Sequence, residues 1–129
     1  MIKIGLLNVS TFDKLIIDYY YQTTTIMKEE FESLILNKNE TDHQFEMMVD
    51  GHKAIITYKE DHFTITLLHT EVPPQLEGRG VATAIIEKTL NYVEKNHLRL
   101  IPLCPFVIVY IKRHPQWKMV LDASVVDKF

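Results

Sequence analysis

The stretch "HTEVPPQLEGRGVA", residues 69–82, separates two kinds of pattern in this chain. Before it, apolar and polar residues alternate. After it, apolar residues return every three or four positions. Pro73 and Pro74 carry no N–H and stop any strand ladder that reaches them. Gly78 and Gly80 then make a Gly-x-Gly turn at a helix start, where the backbone can come close to a ligand. First-turn N–H groups have no partner within a helix and point outward with the positive end of its dipole. The stretch therefore reads as a cradle for a phosphate or pyrophosphate. On spacing alone, two glycines that merely ease a tight turn explain it equally well.

Upstream, "FEMMV" (45–49), Asp50-Gly51 and "HKAIITY" (52–58) read as strand, tight turn, strand. Asp-Gly readily takes the positive φ angles of a type I′ hairpin. "KEDH" (59–62) reads as a second turn, leading into a strand over "FTITLLHTEV" (63–72). In that strand Phe63, Ile65 and Leu67 alternate with Thr64 and Thr66. Downstream, Ala82, Ile85, Ile86, Leu90 and Val93 form one apolar stripe of a helix over residues 81–96. Asn96-His97 ends it, "LRLIPL" (98–103) is a short strand, and "FVIVYIKRH" (106–114) is a second helix after Pro105. Strand, helix, strand in that order makes a βαβ unit with parallel strands and a right-handed crossover. The expected fold is α+β: an antiparallel meander followed by a βαβ unit, one mixed sheet with helices packed on it.

The N-terminal part has no single period. Residues 26–36 fit a helix capped by Thr25 or a strand at "SLILN" (33–37). Residues 1–30 are read as an N-terminal extension and 31–129 as one domain. Met27 opens "MKEEFESLIL" as a natural start would, so the segment before it is read as an upstream-start artefact.

The chain has 129 residues, enough for one core. With 47% hydrophobic and 24% charged residues it has no signature of disorder. A formal net charge of −3 disfavours nucleic acid as a partner. Cys104, the sole cysteine, cannot close an internal disulfide, and no Cys/His set has zinc spacing, so no metal is expected. A reducing compartment, the cytoplasm, suits that composition. No apolar run approaches the ~20 residues that span a bilayer, and "MIKIGLLNVSTF" is a poor signal peptide, so no membrane partner is expected. The expected state is a monomer or weak oligomer.

Two nucleotide-binding motifs are excluded. A Walker A loop is absent, and the third glycine of a dinucleotide fingerprint is replaced by Thr83. Gln75-Leu76-Glu77-Gly78-Arg79-Gly80 instead matches Gln/Arg-x-x-Gly-x-Gly/Ala, and so resembles the pyrophosphate signature of the GNAT superfamily of N-acetyltransferases. With "LIPLCPFV" (100–107) and "YIKRHPQW" (110–117), residues 37–121 look like the small YjdJ-type group of that superfamily. The resemblance implies a GNAT-like fold with its first strand at "SLILN", acetyl-CoA as cosubstrate and an amine as acceptor. It also implies a cofactor-binding set of Val72, Gln75, Glu77, Gly78, Arg79, Gly80, Val81 and Ala82.

N-acetyl transfer needs a neutral amine, a polarised carbonyl and a proton for the departing thiolate. His69 and Glu71 lie beside the cradle, and strand parity puts both on the face of Phe63, Ile65 and Leu67 unless a bulge intervenes. Histidine is the side chain that titrates near neutral pH. Without the resemblance, His69 reads as a hydrogen-bonded strand residue and Glu71 as a surface charge. The resemblance carries the acetyl site over to His69 and Cys104, makes Glu71 the reserve base, and gives Tyr110 the role of protonating the CoA thiolate. A core aromatic is an equally good reading of Tyr110. Trp117 and Phe106 read as core, and Lys112-Arg113-His114 as a solvated helix face.

Two routes follow: direct transfer in a ternary complex, polarised by backbone N–H groups near Val72, or an acetyl-Cys104 intermediate with His69 raising the thiolate fraction. A CoA-binding module without catalysis shares the same cradle. A thiol redox protein fits less well, because no resolving cysteine is present.

Overall fold

A computed structural model describes residues 27–129. The expectations for residues 1–26, including the Thr25 cap, lie outside the described residues. Five strands form one sheet in sequence order: β1 (Asn37–Asn39), β2 (Gln44–Val49), β3 (His52–Asp61), β4 (Thr64–Glu71) and β5 (Arg99–Pro102). The first three pairings are antiparallel and β4–β5 is parallel. Helix α1 (Val81–Lys95) makes the crossover, and α2 (Pro105–Arg113) follows β5. This is the expected mixed sheet with helices packed on it.

Local chemistry explains the corners. Asp50 and Gly51 have φ angles of 48° and 79°, the double positive φ of a type I′ turn. Pro105 stands in the first turn of α2, where its missing N–H costs nothing. Helix α1 closes on His97, at φ 56°, with the Leu98 N–H bonded to the Val93 carbonyl and the His97 N–H to the Glu94 carbonyl. That is a Schellman cap with histidine where glycine is usual.

The core lies between one sheet face and the two helices. Phe45, Met47, Ala54, Ile56, Ile65, Leu67 and Leu100 are buried from the sheet side, and Ile85, Leu90, Val93, Val107 and Ile111 from the helices. Phe31 and Trp117 are buried in the same cluster.

Three expectations need correction. Residues 33–36 form neither a helix nor a strand: a 3-10 turn at Glu29–Phe31 precedes a strand that begins only at Asn37, where pairing with Glu46 starts. "KEDH" is not a turn. Strand β3 runs on to Asp61, which pairs with Thr64, so the turn is His62-Phe63, with His62 at φ 50°. Phe63 is therefore an exposed turn residue and not part of the alternating face. Ladder hydrogen bonds between β3 and β4 outweigh the polarity of residues 59–61.

Candidate functional site at the fork of the sheet

The pairing of β4 with β5 runs from Thr64↔Arg99 to Leu67↔Pro102 and then stops. There the Leu67 carbonyl accepts both the Leu103 N–H at 2.9 Å and the Cys104 N–H at 3.0 Å, and the chain turns into α2. Strand β4 continues to Glu71 against β3 alone. The sheet forks at Leu67.

A bulge sits at the same point. Tyr58 pairs with Leu67 and Thr57 with His69, so Leu68 is an extra residue on β4. An extra residue shifts the two-residue alternation by one step. Ile65 and Leu67 are buried before it, Thr70 after it, while His69 and Glu71 are exposed. The parity that put His69 and Glu71 on the face of Ile65 and Leu67 is thus reversed. They stand on the open face of the sheet, with His69 Nε2 3.6 Å from Glu71 Oε2.

Thr70 points the other way, and its Oγ1 lies 3.1 Å from Cys104 Sγ in a buried pair. Cys104 is 1% exposed. It lies behind Thr70, which itself lines a cavity of about 450 Å³ together with His69, Glu71, Val72, Leu76, Glu77, Gly78, Gly80, Val81, Ala82, Thr83 and Phe106. Cys104 is not among those lining residues. Thr70 escaped the sequence reading because only the bulge turns it inward. Phe106, read as core, is largely exposed and walls the cavity: it follows Pro105 in the outward part of the first turn of α2.

The glycine turn has the backbone the cradle requires. Gly78 is at φ 79° and Gly80 at φ 86°, a region in which an L side chain is strained. Ala84 is the first residue of α1 to donate back, to the Gly80 carbonyl, which leaves the N–H groups of Val81, Ala82 and Thr83 for another partner. Gln75 lies in the 3-10 turn Pro74–Leu76, whose Leu76 is buried and anchors the loop. Arg79 donates from Nη1 to Asp50 Oδ2 at 2.7 Å, reaching across to the β2–β3 hairpin. That hydrogen bond raises the guanidinium pKa further above its ordinary value.

Tyr110 lines an adjoining cavity of about 380 Å³ between the helices, with Ala82, Thr83, Ile86, Phe106, Val109 and Arg113. Its ring stacks on His114 at 4.2 Å. Burial pushes its phenol pKa well up, and the Glu87 carboxylate adds to the shift. Ala82, Thr83 and Phe106 line both cavities, so the two lie side by side. A glycine turn beside these cavities, with helix N–H groups that have no backbone partner among the described residues, fits a pyrophosphate on a long thin carrier. Among the described residues no group of three metal ligands occurs, and no helix is long and apolar enough to cross a membrane.

Comparison with known proteins agrees with this geometry. A family described as GCN5-related N-acetyl-transferase matches residues 44–120. The chain is similar to Protein NATD1 of Xenopus tropicalis and of Mus musculus, 29% identical over 75 residues in each case. Those residues are 56% of this chain and 69% and 68% of the two relatives. The NMR solution structure of a GCN5-like protein from Staphylococcus aureus superposes with a TM-score of 0.53 at 24% identity. It covers 70% of this chain and 90% of that one, a likeness of fold.

Proposed function

Because the chain belongs to the GCN5-related N-acetyltransferase family, we propose that it moves an acetyl group from acetyl-CoA straight to an amine held on the open sheet face. Family and fold together support acetyl-CoA-dependent transferase activity in general. The direct route, the acceptor amine and membership of the YjdJ-type group, whose three motifs stand in order here, are our reading. So is a single catalytic domain over residues 31–129.

The observation that carries the reading is the fork at Leu67, which opens β4 toward a groove floored by Thr70 and ending at the glycine turn. Acetyl-CoA supplies the activated acyl carbon. The N–H groups of Val81, Ala82 and Thr83 receive its pyrophosphate, with Gly78 and Gly80 allowing close approach. Gln75 and Glu77 shape that loop, and the backbone of Val72, past the end of β4, is available to polarise the thioester carbonyl. Glu71, with His69 beside it, accepts the amine proton. The nitrogen bonds to the carbonyl carbon, the carbon–sulfur bond breaks, and the sulfur leaves as thiolate. Tyr110, kept protonated by burial, returns a proton to it.

The buried Cys104–Thr70 pair supports the direct route over an acetyl-Cys104 intermediate. A nucleophilic thiol needs access and a base, and His69 stands on the opposite face of β4. The test is calorimetric titration with CoA, followed by acetyl-CoA against a panel of small amines, polyamines and lysine peptides, with intact-mass analysis. Saturable CoA binding with turnover and no mass gain on the protein is expected. Binding without transfer to any amine would leave only a CoA-binding module.

A further inference from the structure

The family match begins at residue 44, yet Lys28, well before it, lies against the glycine turn. Two hydrogen bonds to α1 and one buried ring fix this segment, residues 27–32. The Met27 N–H donates to Glu87 Oε2 at 2.8 Å, Phe31 is buried in the core, and Lys88 Nζ donates to the Glu32 carbonyl at 3.0 Å. Between these anchors the stem of Lys28 crosses Gly80. A Cβ at Gly80 would meet Lys28 Cε at 3.4 Å and Cδ at 3.6 Å. The Lys28 ammonium, one bond beyond Cε, is therefore within a few ångströms of the left-handed residue that opens α1.

Two cations thus flank the turn, and they differ in partnership. Arg79 is engaged by Asp50 at 2.7 Å. Lys28 has no ion-pair partner among the described residues, and its side chain is exposed. A dianionic pyrophosphate arriving at free helix N–H groups meets one cation already neutralised and one that is not. We infer that Lys28, supplied from outside the family's matched region, is the cation that binds the cofactor's pyrophosphate. Arg79 mainly ties the loop to the β2–β3 hairpin. The inference rests on the acetyl-CoA reading above for its ligand, and on the loop geometry for the residue. Separation of the ammonium from the loop is well inside the ~10 Å screening length at 0.1 M salt, so the attraction survives in ordinary buffer.

The test compares wild type, Lys28→Ala and Lys28→Arg by calorimetry with three probes: CoA, pantetheine and inorganic pyrophosphate. Lys28→Ala is expected to weaken CoA and pyrophosphate binding about 5- to 10-fold, the scale of one hydrogen bond to a charged group in partly screened surroundings. Pantetheine, which has no phosphate, should bind both proteins alike, and Lys28→Arg should restore most of the loss. Turnover at saturating acetyl-CoA should be unchanged, with the whole effect in KM. The thermal midpoint reports whether the 27–32 segment stays docked. Equal CoA and pyrophosphate affinity in wild type and Lys28→Ala would overturn the inference. Pyrophosphate binding that depends on Lys28, in a protein that ignores CoA, would uphold Lys28 and sink the acetyl-CoA reading. A wild type that binds neither probe would overturn both.

Discussion

Two carboxylates stand in one row across the open face of the sheet, each opposite Ile55: Glu46 on β2 and Glu71 on β4. Their surroundings differ. Glu46 is 7% exposed and accepts hydrogen bonds from Gln44 at 2.6 Å, Asn39 at 2.9 Å and Asn37 at 3.3 Å, with Lys53 at 3.5 Å. Gln44 and then Asn39 do most to lower its pKa to about 2, against the cost of burial. Glu71 is exposed and has His69 at 3.6 Å. A buried carboxylate that already accepts three hydrogen bonds holds a structure together. One with lone pairs to spare can take a proton from a substrate.

Replacing Glu71 with Gln is the strongest test of that contrast. It should lower kcat about 10²-fold while leaving stability within about 0.5 kcal/mol of wild type. Steady-state kinetics beside urea unfolding would check it. A variant with unchanged kcat would pass the role of base to His69 or to water.

Glu46→Gln should do the reverse, costing about 1–3 kcal/mol at neutral pH with per-molecule activity preserved. The sign of its pH dependence follows from the lowered pKa. The stabilisation is present above the ordinary Glu value near 4.5 and is lost as pH falls through about 2. The wild-type unfolding free energy should therefore fall more steeply than that of Glu46→Gln between those values, and parallel curves would reject the assignment.

His69→Ala is a smaller perturbation of the same end. If His69 supports Glu71, steady-state kinetics should show kcat lower by about 10-fold, and an unchanged kcat would leave Glu71 without its support. The smallest effect belongs to the back of β4. Cys104→Ala should keep turnover within about twofold and lose roughly 1–2 kcal/mol from the packed pair with Thr70. A large loss of turnover, with acetylated wild-type protein in the mass spectrum, would reinstate the covalent route.

Much of this was legible from residue order. The Asp50-Gly51 hairpin, the stripe of α1 and the glycine turn follow from local chemistry, because each depends on residues within a few turns of chain, and the parallel β4–β5 pair follows from the strand-helix-strand order. Glu46 was not legible as a buried group. Its amide partners Asn37, Asn39 and Gln44 converge only once β1 pairs with β2. Phe106 was misjudged for a related reason: an aromatic beside an apolar run reads as core, yet the start of α2 leaves it at the mouth of the groove.

The sequence by itself determined the α+β order of elements and the position of the glycine turn before α1. Tertiary structure alone decided which way the residues near the end of β4 face. Alternation along a strand is a local rule, but the bulge at Leu68 is fixed by pairing with Thr57 and Tyr58 on the neighbouring strand. One unpaired residue turned His69 and Glu71 to the open face and Thr70 inward to Cys104. Separation along the chain likewise hid Lys28, which meets Gly80 in a segment whose Phe31 is buried in the core.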